Sequence, residues 1–323
     1  MSKTPTIVKK IQKYKPHEIK WGFDTDISYS QISVYKECPM RWSLHYKDKI
    51  RPFTSSIFTI FGKAIHETLQ HYLTVMYEES TIKADILDLK EEFEDILRKE
   101  YQKEYKNNNG AHFSTSLELN EFYEQGLLII EFFKKNKNKY FSKRGWHLVG
   151  CEFPLVINPD QYHPSLWFLG YLDLVFYHEP TETFKIIDIK TATWGWGAKM
   201  KKDPMKQLQL VFYKKYFAQL FNVPLDKIEI EFFIVKRKLY ENTDFYISRI
   251  QQHIPASGKV KLNLATKIVK EFIEEVFDKG GKIKERKFKA TPSEKSCFYC
   301  PYNQTKHCKV GVKKKEYVTK KTN

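Results

Sequence analysis

The chain has 323 residues and a mass of 38.6 kDa, with 41% hydrophobic and 15% aromatic residues and a formal net charge of +16. That is enough apolar material for a sizeable core, which excludes disorder as the main state. No apolar run approaches the roughly 20 residues of a membrane span, and the polar start MSKTPTIVKK has no signal-peptide core, so the expectation is an intracellular, cytoplasmic protein with no membrane partner. In that compartment clustered cysteines more often mean metal than disulfide. The positive charge points to a polyanion, most simply nucleic acid. Only seven of the 55 basic residues are arginine, which favours binding to the phosphate backbone over reading of base edges. A lysine bias inherited from an AT-rich genome gives the same composition.

Residues 1–27 read as a basic, weakly periodic segment. A helix is expected over SYSQISVYKECPMRWSLHY, with Ser28 or Ser30 as its N-cap. The stretch GKAIHETLQHYLTVMY repeats Ile65, Leu69, Leu73 and Met76 at helical spacing, and two more amphipathic helices flank the NNNGAH break. After Arg144 the pattern becomes β-rich: WHLVGCEFPLVI, SLWFLGYLDLVFY and TFKIIDIKTA. A helix follows over DPMKQLQLVFYKKYFAQLF, then strands at KIEIEFFIVKRK and DFYISRI, and a long helix near 259–279.

In FKIIDIKTA, Asp188 and Lys190 are two residues apart and share one face of a strand, while Ile187 and Ile189 point into a core. The preceding strand carries Asp173, a lone carboxylate in an apolar run, and the turn HEPTET returns the chain to Asp188. Charged groups on adjacent buried strands are costly unless they meet one another or a metal. Two carboxylates beside a lysine suit a hard divalent cation, with water and a phosphate oxygen at its open positions. An Asp–Lys ion pair closing a sheet edge is the structural alternative.

These residues resemble the PD-(D/E)XK nucleases, in particular the RecB-like exonuclease branch that carries an iron–sulfur cluster, as in AddB-type and CRISPR adaptation nucleases. SYSQISVYKECPMRW is similar to that branch's opening segment and GKAIHE to its histidine motif. GYLDLV, DIK and QLQLVFY follow in the family's order. The resemblance implies an α/β fold in which a restriction-endonuclease-like core sheet is flanked by helices, with an N-terminal helical region and a C-terminal cysteine-rich metal-binding loop. The expected layout is a basic segment 1–27, a helical region 28–144 carrying Cys38 and His66, a nuclease core 145–290, a metal loop 291–308 and a basic tail 309–323. Residues 28–308 are expected to form one integrated domain.

Carried onto this chain, the resemblance makes Asp173, Asp188 and Lys190 catalytic. His66, Asp173, Asp188 and the carbonyl of Ile189 become ligands of Mg²⁺ or Mn²⁺. Glu152 corresponds to a carboxylate that precedes the Asp173 strand, and Gln209 and Tyr213, which share a helix face, to a buttress of Lys190 or a nucleotide contact. Whether Lys190 orients a water, stabilises the transition state or acts as a base stays open.

CFYCPYNQTKHC supplies Cys297, Cys300 and Cys308, and the resemblance makes Cys38 the fourth ligand of a [4Fe–4S] cluster. Four thiolates suit structural Zn²⁺ equally, and Cys38 as a small buried side chain is the bland alternative. Cys151 reads as a packed apolar residue. After the catalytic strand, Trp194 and Trp196 with Lys199, Lys201 and Lys202 combine stacking faces with phosphate-binding charge. A loop whose tryptophans fold inward fits the same residues. The function expected is a metal-dependent DNA exonuclease acting on single-stranded or free-ended DNA in recombination, repair or replication, with any helicase or recombination partner separate. The rivals are a non-catalytic nucleic-acid-binding or scaffold protein that keeps the fold, and a zinc-ribbon regulator.

Overall fold

The computed structural model describes residues 4–16, 26–159, 163–241 and 246–313. In chain order these form α1 (Thr6–Gln12), β1 (Asp26–Ser28), α2 (Tyr29–Glu37), α3 (Pro39–Trp42), a π-helical turn Ser43–Lys47, α4 (Ile57–Glu78), α5 (Thr81–Asp85), α6 (Leu89–Asn107) and α7 (Ser116–Tyr140). Next come β2 (Trp146–Ile157), β3 (Trp167–His178), β4 (Thr183–Ala192), α8 (Ala198–Lys201), α9 (Pro204–Phe221), β5 (Ile228–Lys236), β6 (Ile250–His253), α10 (Lys259–Val276) and α11 (Glu294–Phe298). Among the described residues no helix is long and apolar enough to cross a membrane.

The chain divides into two compact units, the first made of 1–19, 55–157 and 169–265 and the second of 20–54, 158–168 and 266–323. In the first unit β3, β4, β5 and β6 lie side by side and β2 pairs with β3. β4 runs antiparallel to β3 and parallel to β5, and β6 antiparallel to β5, so the sheet is mixed. One face buries Leu174, Phe176, Ile187, Ile189, Phe233 and Val235 against α4, α6 and α7. The stripe Ile65, Leu69, Leu73 and Met76 lies inside that core as its spacing predicts. The opposite face meets α9, where Phe184 packs on Phe217 at 5.2 Å.

Helix ends follow the expected chemistry. Ser56 caps α4 through Thr59 N, and Asp203 caps α9 through Met205 N and Lys206 N, with Pro204 opening the helix. The fully buried Val8, with Ile11, faces inward from α1, and Gln12 Nε2 donates to Leu148 O of β2 at 3.2 Å. The segment expected to be merely basic therefore contributes a docked helix, too short for its period to show in the sequence. The last strand begins at Ile250, later than DFYISRI suggests; residues 242–245 of that stretch lie outside the described residues.

In the second unit Ser28 caps α2, accepting from Gln31 N. The helix stops at Cys38, whose extended backbone precedes Pro39, and α3 restarts there. Tyr35 and Trp42 pack edge-on against Phe272 and Phe288, which forms an aromatic core. Met40 N donates to Lys289 O and Thr291 Oγ1 to Glu37 O, joining the early helices to the C-terminal segment.

Candidate active site

The β3–β4 ladder runs from His178↔Thr183 to Leu174↔Ile187. Asp173 and Asp188 stand at the next positions, where the strands part. Parting releases backbone groups that must find partners. The Ile189 N–H donates to Asp173 Oδ2 at 2.7 Å, and the Ile189 carbonyl faces His66. The Asp173 carbonyl accepts from Gln70 Nε2 at 3.1 Å, and the same amide donates to Glu152 Oε1 at 2.8 Å.

His66 reaches this opening from α4, with Nδ1 3.5 Å from Asp173 Oδ2. Glu152 reaches it from β2 through a left-handed backbone, φ 44°, which breaks the alternation of the strand. A non-glycine residue in that region is strained by an amount on the order of 1–3 kcal/mol, and such strain clusters at functional positions. Ligand atoms of His66, Glu152 and Asp173 lie within 4.8 Å of one another, and among the described residues no other such trio of His, Cys, Asp or Glu occurs.

Asp188 is buried on the α9 side. Its Oδ1 accepts from Gln209 Nε2 at 2.8 Å, and Lys190 Nζ lies 2.6 Å from Oδ2. At that distance the ammonium is a close, charged partner of Oδ2. Gln209 also contacts Tyr213 Oη at 3.4 Å. Gly170 makes room for this pair, since a Cβ there would stand 2.8 Å from the Tyr213 ring.

Burial governs the titration of the cluster. It raises Asp173 to about 6, with the Lys190 charge opposing, and raises Asp188 to about 6 in the same way. Burial and the Lys190 charge push His66 down to about 4, which leaves a neutral imidazole at neutral pH. For Lys190 burial works against the charge, but Asp188 and Asp173 outweigh it and hold the amine above its ordinary value. Such a set suits a hard divalent cation. It offers three ligand atoms in mutual reach and buried carboxyls whose ionisation a nearby cation favours.

The structure thus brings His66, Glu152, Asp173, Asp188, Ile189, Lys190, Gln209 and Tyr213 into one site within the first unit. Gln70, which sequence reasoning missed, belongs to the same cluster. Its signal was the spacing of His66 and Gln70, four residues apart and therefore on one face of α4. Cys151 lies beside the cluster, 3.4 Å from Thr74 Oγ1, and burial pushes its thiol up to about 11. Of the loop residues, Trp194 is exposed, whereas Trp196 is buried on Phe232. Lys199 and Lys202 are exposed and Lys201 half-buried.

Cys38, Cys297, Cys300 and Cys308 line one small cavity in the second unit, together with Arg41, Tyr302 and Asn303. α11 opens with a capping box between Ser293 and Ser296, which places Cys297 in its last turn. The Cys297 thiol is buried, yet hydrogen bonds from Val312, Ser293 and Ser296 bring it below its ordinary pKa. Burial raises Cys300. Gly311 closes the loop, and a Cβ there would fall 2.0 Å from Asn303 Oδ1 and 3.5 Å from Cys297 Sγ.

A family profile described as the PD-(D/E)XK nuclease superfamily matches residues 26–305. The match spans every residue of the carboxylate site and ends before Cys308. The chain belongs to the PD-(D/E)XK nuclease superfamily. A search of curated proteins returned no match.

Proposed function

We propose that the chain is a metal-dependent exonuclease of the RecB-like type, hydrolysing phosphodiester bonds of single-stranded or free-ended DNA in recombination, repair or replication. The observation that carries this reading is the convergence of His66, Glu152 and Asp173 ligand atoms within 4.8 Å, beside the Asp188–Lys190 pair. Asp173, Glu152 and His66, with Asp188 and the Ile189 carbonyl, would hold one or two Mg²⁺ or Mn²⁺ ions. Such an ion, when bound, supplies an acidified water and neutralises charge on the scissile phosphate.

The chain's own residues do the positioning. Lys190, kept charged by two carboxylates, presents a fixed cation where negative charge grows on the phosphate, or orients the attacking water. Gln209 and Tyr213 hold Asp188 from the α9 side. Neutral His66 offers a lone pair without having to lose a proton. The retained Asp173, Asp188 and Lys190 set disfavours a non-catalytic scaffold.

Cys38, Cys297, Cys300 and Cys308 would hold a [4Fe–4S] cluster. What supports a bound group here is that all four thiols line one small cavity. Four thiolates suit structural Zn²⁺ as well, and that is the alternative.

The deciding experiment compares end-labelled linear with closed circular single strands, with and without Mn²⁺. Metal-dependent loss of linear strands with resistant circles is expected. Rapid cutting of circles would make the protein an endonuclease on the same chemistry, and no metal-dependent cleavage of either would leave a binding protein.

A further inference from the structure

We propose that Trp194 and Tyr240 form a preset platform on which bases of a single strand stack, with Lys199, Lys202 and Lys236 holding the adjoining phosphates. The proposal rests on nucleic acid being the substrate, as read above, and it names the place where that substrate is gripped.

The backbone sets up the pair. The parallel β4–β5 register ends at Ala192↔Lys236. Two further bonds, Arg237 N to Ala192 O and Lys238 N to Thr193 O, both 2.8 Å, carry the pairing past the strand ends. The two chains therefore leave the sheet side by side, and their rings meet. Trp194 and Tyr240 stack with centroids 4.7 Å apart and planes at 16°. They are 45% and 60% exposed. A near-parallel stack open to water offers a flat surface to which another ring can add, and base–aromatic stacking does not depend on sequence.

The loop that carries Trp194 is anchored on its other side. Trp196 is 7% exposed and packs on Phe232 at 4.8 Å. Its N–H donates to Gln251 Oε1 at 2.7 Å, and its carbonyl accepts from Gln251 Nε2 at 3.2 Å. Gly195 between the tryptophans has φ +93°, and a Cβ there would stand 2.9 Å from Gln251 Oε1. Fixing one tryptophan thus holds the other in place before any ligand arrives, which lowers the ordering cost of binding.

Charge identifies the ligand. Among the described residues no carboxylate pairs with Lys199, Lys202 or Lys236. The Lys236 stem lies against Gly195, and burial together with the nearby Lys201 charge makes its ammonium harder to keep. Lys236 and Lys201, close enough to feel each other's charge, stand by the loop that carries Trp194, and Lys199 and Lys202 follow on the same segment. That combination matches a phosphodiester strand with unpaired bases. Trp194 follows Lys190 by four residues along one chain, at most about 13 Å at the rise of a strand, so one short strand can reach both.

The test uses the full-length protein in EDTA and fluorescein-labelled (dT)₁₂, read by anisotropy at several salt concentrations. Trp194→Ala and Tyr240→Ala are each expected to weaken binding by roughly 5- to 100-fold. The slope against salt should stay unchanged, because neither ring neutralises a phosphate. Trp194→Phe should recover most of the affinity, and Lys199→Ala with Lys202→Ala should flatten the slope. Binding by both alanine variants within about twofold of wild type, or no binding by wild type, overturns the platform. Mn²⁺-dependent hydrolysis of thymidine 5′-(p-nitrophenyl phosphate) by the wild-type protein tests the nuclease reading separately. Its failure would leave the anisotropy result to decide the platform alone.

Discussion

The Asp173 carboxylate accepts the Ile189 backbone N–H at 2.7 Å, across the point where β3 and β4 separate. The bond replaces a missing rung of the sheet and fixes the acid to main chain. Asp188 is fixed differently, by Gln209 and Lys190. Two carboxyl groups held independently in a buried opening are a poor device for stability alone, and their chemistry suits a cation.

Asp173→Ala and Asp188→Ala are each expected to reduce hydrolysis by more than the 10- to 100-fold that loss of an outer-shell partner costs a metal site. Binding of single-stranded DNA should survive, because the proposed grip lies elsewhere. End-labelled substrate with Mg²⁺ and with Mn²⁺ reads the first, and anisotropy in EDTA the second. Near-normal turnover by either variant removes the proposed metal site.

The same burial predicts a pH dependence. Folding raises Asp173 from 3.8 to about 6. Between those values the folded chain keeps a proton that the unfolded chain has lost, so this group's contribution falls as pH rises and the penalty is complete above the folded pKa. His66, lowered from 6.5 to about 4, acts in the opposite sense, its contribution growing as pH rises through that window. Asp173→Asn removes the first effect and keeps an acceptor for Ile189. In EDTA near neutral pH the variant's Tm should exceed that of wild type, and the gap should close toward pH ~4. A displacement of this size is worth at most about 3 kcal/mol. Mn²⁺ should raise the Tm of wild type and leave the variant unmoved. A gap that widens on acidification would falsify the assignment.

Much of this site was legible in the sequence because strands alternate faces. Asp188 and Lys190 had to point together, away from Ile187 and Ile189, whereas His66 was singled out by the resemblance of GKAIHE to the family's histidine motif and not by its helical spacing. What alternation cannot give is where two paired strands let go of each other. Spacing put Gln70 on the His66 face of α4, but its role, taking up the backbone carbonyl freed there, could not be read for that reason. The left-handed turn at Glu152 is likewise a local exception with no compositional mark. The stacking of Tyr240 on Trp194 depends on two segments leaving a parallel sheet together, a relation between distant stretches that no short motif records.

Gln70 is expected to act as a positioning residue through Glu152. Gln70→Ala should lower the apparent affinity for Mn²⁺ by about 10- to 100-fold with a much smaller change in kcat at saturating metal. Titration of activity with Mn²⁺ separates the two parameters. An unchanged metal dependence would reduce Gln70 to packing.

Lys190→Ala should lower kcat strongly with little change in KM, because a fixed cation matters most where charge develops on the phosphate. Steady-state kinetics on a short linear oligonucleotide measures both. A change confined to KM would make Lys190 a binding residue.

The cysteine cavity gives the last expectation. Cys38 ends α2, while Cys297, Cys300 and Cys308 lie on and beyond α11, yet all four line one space. Segments so distant in sequence are costly to bring together, and a bound group that joins them constrains the unfolded chain correspondingly. Protein purified without oxygen should be brown and hold about four irons with sulfide per chain. Cys38→Ser should lose the colour and melt at lower temperature, and its nucleolytic activity should fall as the second unit loosens. A chelator that strips iron from wild type should reproduce the loss in Tm but add little to the variant. Colourless protein with one zinc per chain would keep the join and refute the cluster. Full stability of Cys38→Ser with its iron retained would show that Cys38 is packed in the cavity and ligates nothing.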